Sequence, residues 1–138
     1  MSRYRCPKSA CSACADVCPV AGAVRFLEQG VEITDACVAC GACASACPNG
    51  ALRPTEGDAE LADRIRSRVR PGTAFRIACG RASGHVDLVL PCLSRLTEAL
   101  ILEPVRGGAE RVVLLDPGCA GCGLGKAAPQ WQRVLAFS

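Results

Sequence analysis

The chain has 138 residues, a formal charge of +3 and twelve cysteines, a cysteine content that leaves two broad classes, disulfide scaffolds and metal proteins. The opening "MSRYRCPKSACSAC" has no apolar h-region or small-residue cleavage site, so no secretory signal is expected. No apolar run approaches the roughly 18 residues that cross a bilayer, so no membrane insertion is expected either. A cytoplasmic location follows as the expectation; thiols stay reduced there, and clustered cysteines bind metal rather than form disulfides.

In chain order, "RYRCPKSACSACADVCP" (3–19) comes first, and "CVACGACASACP" (37–48) is its more regular copy. Adding 29 to Cys11, Cys14, Cys18 and Pro19 gives Cys40, Cys43, Cys47 and Pro48, an internal repeat. The second copy has four cysteines at C-x2-C-x2-C-x3-C-P, whereas the first has Lys8 where a cysteine is expected and an extra Cys6 upstream. Between the copies, "AVRFLEQGVEITD" predicts two short strands about a turn at Gln29–Gly30. From Thr55 the pattern turns helical: Asp58 is a possible N-cap, Leu61, Ile65 and Val69 share a face, and Pro71–Gly72 stops the run. Its arginines at 64, 66, 68 and 70 lie on no single face, which reads as a solvated surface or as a docking surface for an acidic partner.

Residues 73–138 predict a small α/β unit. "TAFRIAC" and "VDLVLPC" are expected strands, each ending in a cysteine. "LSRLTEALIL" is an expected helix, with Ser94 as a possible N-cap and Pro104 limiting or kinking its far end. "ERVVLLD" is an expected buried strand, "GCAGCGLG" a loop, and "APQWQRVLAF" a helix with Trp131, Val134 and Leu135 on one side. Right-handed crossovers are the default connection. Burial alone leaves so small a unit marginal, and a metal centre would staple it.

The run Cys37, Cys40, Cys43, Cys47–Pro48 in "VEITDACVACGACASACPNGAL" resembles the two-cluster bacterial ferredoxins, over about residues 4–54. In that family the fourth cysteine of each run ligates the other cluster. The resemblance therefore implies one [4Fe–4S] cluster on Cys37, Cys40, Cys43 and Cys18, and a second on Cys11, Cys14, Cys47 and one further thiolate. Cys6 is the expected donor, since Pro7 and Ser9 tolerate the wider loop. A three-iron cluster, a weakly held fourth iron, or Cys6 as an inert thiol are the alternatives. Structural zinc, the competing chemistry, favours separated cysteine pairs over this repeated run.

Cys79, Cys92, Cys119 and Cys122 remain, and two separated pairs at strand ends can converge at one sheet edge. The Cys79–Cys92 spacing resembles thioredoxin-like [2Fe–2S] ferredoxins, whose second pair is C-x3-C instead of this C-x2-C. "LPCLSRLTEALILEPVRGGAERVVLLDPGCAGC" resembles the delta subunit of heterodisulfide-reductase-associated hydrogenases, over about residues 75–125, again with a departure in the pair's spacing. Both resemblances imply a third site holding a [2Fe–2S] cluster. Structural zinc, a dithiol pair, or plainly buried cysteines are the other readings.

The expected architecture is thus an α+β ferredoxin-like dicluster module (1–56), a linking helix (57–72) and a small strand–helix–strand α/β module (73–138). The expected function is single-electron transfer, with no catalysis by the chain alone, as a subunit working beside flavin, hydrogenase or molybdenum subunits; a free shuttle and a redox sensor are the alternatives. Three oxidised clusters would take the net charge from +3 to about −3, so the basic balance is no sign of nucleic-acid binding. His85, the only histidine, cannot make a Rieske-type pair. "GCGLGK" lacks the Ser or Thr of a phosphate loop, since Ala127 follows Lys126.

Overall fold

In a computed structural model that describes residues 10–137, the cysteine-rich half is built from short pieces. Helix α1 (Ala13–Asp16) and helix α2 (Ala42–Ser45) are single turns. Between them, β1 (Val24–Phe26) and β2 (Val31–Ile33) form an antiparallel hairpin with Arg25 opposite Glu32, so two strands do flank Gln29–Gly30. Tyr4, Cys6 and Lys8 lie outside the described residues.

Helix α3 (Asp58–Arg66) is shorter than the stretch expected for it. Gly57 is its N-cap, and the Glu60 carboxylate accepts from the Gly57 backbone N–H at 2.8 Å. Asp58 therefore sits one residue inside the helix, and its carboxylate is drawn away to Arg95. Leu61 and Ile65 are buried; Val69 lies past the helix end but still packs on the core. Three of the four arginines have partners: Arg64 pairs with Glu56 and Arg66 with Asp63 and Glu103, while Arg68 donates to the Asp87 carbonyl.

The second half holds a three-stranded, all-parallel sheet: β3 (Ala74–Cys79) in the centre, flanked by β4 (Leu88–Leu90) and β5 (Arg111–Leu115). β4 stops two residues short of Cys92. Parallel neighbours ordinarily need a crossover of a dozen residues or more, yet β3 and β4 are joined by 80–87 without a helix. Register explains this. Leu88 pairs with Ile77, so the chain must return only about 7 Å along the strand, two residues at strand rise. Asp87 latches the return: its N–H donates to the Arg76 carbonyl and its carboxylate accepts from the Arg76 N–H. β5 is an edge strand and only half-buried, because its outer side has no neighbour to cover it.

Helix α4 (Glu98–Arg106) is capped by Thr97, whose hydroxyl accepts from Leu100 N–H. Ser94 is not the cap: it lies in a separate 3-10 turn (Leu93–Arg95), fully buried, its hydroxyl donating to the Ala127 carbonyl at 2.6 Å. Pro104 lies inside α4, where it cannot donate to the Leu100 carbonyl, and the helix continues past it to Arg106. Helix α5 (Ala128–Phe137) turns Val134 into the core with Trp131 half-buried beside it, whereas Leu135 is 41% exposed. Leu61 and Ile65 of α3, Phe75 and Ile77 of β3, Leu88 and Leu90 of β4, and Leu100, Ile101 and Val134 belong to one buried cluster.

Candidate metal centres

The cysteine runs coil because each places a one-turn helix between its second and fourth cysteines. Ala39 and Gly41 take positive φ, which bends the second loop sharply around Cys40. Cys18, from the first run, lines one small pocket together with Cys37, Cys40 and Cys43 of the second. Burial first, then repulsion from Cys40, Cys37, Cys18 and Cys14, pushes the Cys43 thiol up to about 11. The Cys14 thiol is raised by burial, with Cys47 and Cys11 among the charges repelling it. Each run's fourth cysteine therefore stands with the other run's thiols. Cys14, Cys40 and Cys43 therefore resist ionisation, and a positive centre among them would hold them as thiolates.

Backbone N–H groups already aim at sulfur: Ala39 N–H donates to Cys37 Sγ at 3.4 Å and Ala51 N–H to Cys47 Sγ at 3.3 Å. Burial opposes ionisation of Cys47, yet N–H groups of Ala51, Asn49, Leu52 and Gly50 together hold its thiol below the usual value. Gly41 is required twice over. Its φ is +79°, and a Cβ there would collide with the stem of Arg95. Gly41→Ala is expected to cost about 1–2 kcal/mol from the left-handed backbone alone, and more once Arg95 is displaced; thermal unfolding measures it.

The remaining cysteines meet for a topological reason. Parallel strands end on the same side of a sheet, so Cys79 at the end of β3, Cys92 just after β4, and Cys119 and Cys122 in the loop after β5 come to one edge. They line a single cavity of about 180 Å³ with Arg81, Asp116 and Trp131. Leu124 N–H donates to Cys122 Sγ at 3.4 Å, and this bond, with Arg81 beside it, holds the Cys122 thiol below its ordinary value. Burial and the neighbouring Asp116 raise Cys119. The Trp131 indole N–H is buried without a full hydrogen-bond partner and faces the Cys119 thiol, favouring its charged form. Gly125 keeps the loop tight: a Cβ there would stand 2.6 Å from the Cys119 carbonyl oxygen.

The second and third sites touch. Cys40 and Cys92 share one buried cluster with Ala42 and Ala127, and after burial and its Ala42 N–H bond, Cys92 is the first charge acting on Cys40. Ser45 Oγ donates to the Ser94 carbonyl at 2.5 Å, tying α2 to the 3-10 turn. Among the described residues, no three His, Cys, Asp or Glu side chains converge as the ligands of one ion must; thiolates of a cluster bind different irons and stand farther apart. Among the described residues no cysteine is in a disulfide, and His85 is exposed beside Asp87. The donor set of thiolates with N–H groups aimed at sulfur fits iron–sulfur clusters. Sequence reasoning missed Arg81, Arg95 and Trp131; the available signal for Arg95 was a lone cation within the apolar stretch "LVLPCLSRLTEALIL".

Residues 31–53 match the 4Fe-4S binding domain family, so the chain carries a ferredoxin-type iron–sulfur module, of the kind that serves electron transfer. No curated protein and no solved structure matches the chain. Among the described residues, no helix is long and apolar enough to cross a membrane.

Proposed function

We propose that the chain is a three-site electron-transfer protein. Cys18, Cys37, Cys40 and Cys43 would hold one [4Fe–4S] cluster, and Cys11, Cys14, Cys47 and Cys6 another. Cys79, Cys92, Cys119 and Cys122 would hold a [2Fe–2S] cluster. The single observation that carries this reading is the packing of Cys40 against Cys92, which puts the third thiol set beside a 4Fe-4S binding segment instead of on a separate surface. When bound, such clusters take up and release single electrons without making a bond to substrate.

The chain's own residues then have defined tasks. Ala39, Ala51 and Leu124 donate N–H groups to ligand sulfur and so bias its charge. Ala42 and Ala127, both fully buried, exclude water between the second and third sites. Arg81 offsets thiolate charge at the third.

Anaerobically prepared protein should hold about ten irons per chain, two cubanes and one [2Fe–2S], and Cys92→Ser about two fewer. About eight irons in both proteins would remove the third cluster. The fused α/β half, more than a diffusible carrier needs, favours a fixed subunit over a free shuttle. Native purification should then bring down a flavin, hydrogenase or molybdenum subunit; a lone monomer of 14.3 kDa would refute that assignment.

A further inference from the structure

We propose that Arg95 sets the reduction potential of the cluster at Cys18, Cys37, Cys40 and Cys43; the inference rests on the iron–sulfur reading above. Arg95 is 4% exposed, and its stem lies directly on Gly41, the residue following Cys40. It lines a cavity of about 520 Å³ in common with Cys37, Cys43 and Gly41.

Its guanidinium is only half used. Nη2 donates to Asp58 Oδ1 at 2.6 Å and to the Glu56 carbonyl at 3.0 Å. Nη1 is buried and has no partner. A guanidinium serving only to join segments would have its buried donors satisfied, because an unmade buried hydrogen bond is costly. Asp58 offsets the charge incompletely, since it is 54% exposed and water screens it, whereas the cation is dry. A positive charge therefore remains in a low-dielectric region against the loop between Cys37 and Cys43. Reduction adds one negative charge there, so a fixed buried cation stabilises the reduced state more than the oxidised state and raises the potential. Arg95 is a positioning and tuning residue here, not a ligand.

The test is an EPR-monitored redox titration of anaerobic, iron-loaded protein, comparing the parent chain with Arg95→Gln, Arg95→Lys and Asp58→Asn. Arg95→Gln is expected to lower the midpoint of one [4Fe–4S] signal by about tenfold in the reduction equilibrium, about 59 mV for one electron, with smaller changes in the other signals. Asp58→Asn, at an exposed carboxylate, should move the same signal upward, and Arg95→Lys should stay near the parent. Should Arg95→Gln fail to fold, Arg95→Met, neutral and of similar length, replaces it, with the same lowered midpoint expected and an unchanged one overturning the proposal. Unchanged midpoints in fully loaded variants, or an equal shift of every signal, would overturn the proposal. A parent chain with no iron–sulfur signal would instead overturn the reading beneath it, so the two failures are distinguishable.

Discussion

Removing iron and sulfide anaerobically is expected to unfold residues 10–54 while the parallel sheet persists. The reason is how unevenly apolar burial is distributed. In residues 10–54 the fully buried side chains are Cys14, Ala23, Cys40 and Ala42: two methyl groups and two thiols. A methyl contributes about 0.8 kcal/mol of burial, far below the roughly 1–2 kcal/mol that ordering each residue's backbone costs. Bound iron–sulfur would therefore supply most of this half's stability, as a metal does in other domains without a core of their own. Residues 58–137 differ: twelve buried residues, from Leu61 to Val134, share one core cluster, at about 1.5–3 kcal/mol for each large side chain. Amide hydrogen exchange followed by mass spectrometry reads the two halves separately. Exchange across 24–33 should accelerate by orders of magnitude in the iron-free protein, while that of 74–79 should stay slow. Protection of 24–33 that survives iron removal would show that this half needs no cluster to fold.

Exchanged ligands are expected to produce crossed phenotypes. Cys18→Ser should damage the same [4Fe–4S] signal as Cys40→Ser, although Cys18 belongs to the other run, because Cys18 shares a pocket with Cys37, Cys40 and Cys43. Cys47→Ser should damage the signal that Cys14→Ser damages, since the Cys47 thiol is among the charges acting on Cys14. Each variant should lose about four irons, or about one where a three-iron remnant survives. EPR with iron quantitation measures both. If Cys18→Ser and Cys14→Ser affected one common signal and spared the other, each run would serve its own cluster and the exchange would be disproved.

Much of the local structure was legible in the residues. The three- and four-residue cysteine spacings within each copy of the repeat, the hairpin around Gln29–Gly30, the apolar face of Leu61 and Ile65, and the strand ending at Cys79 all express short-range patterns of two, three or four residues. Element ends were less legible. Ser94 and Asp58 both look like caps, but Ser94 is fully buried with its hydroxyl bonded to the Ala127 carbonyl, and the Asp58 carboxylate is bonded to Arg95. Long-range partners overrode the local preference in each case. "RVVLL" reads as a buried strand by composition, yet it is a half-buried edge because nothing pairs beyond it.

The cysteine spacings by themselves determined that this chain is built for thiolate chemistry, because a loop closing on a metal centre needs its donors at fixed short intervals. Which thiols stand together was decided by tertiary structure: the parallel sheet carries Cys79, Cys92, Cys119 and Cys122 to one edge, and the turn at Leu93–Arg95 sets Cys92 against Cys40 and lays Arg95 over Gly41. The contacts of Cys92 with Cys40 and of Arg95 with Gly41 join residues 52 and 54 positions apart, and a periodicity of a few residues holds no record of them.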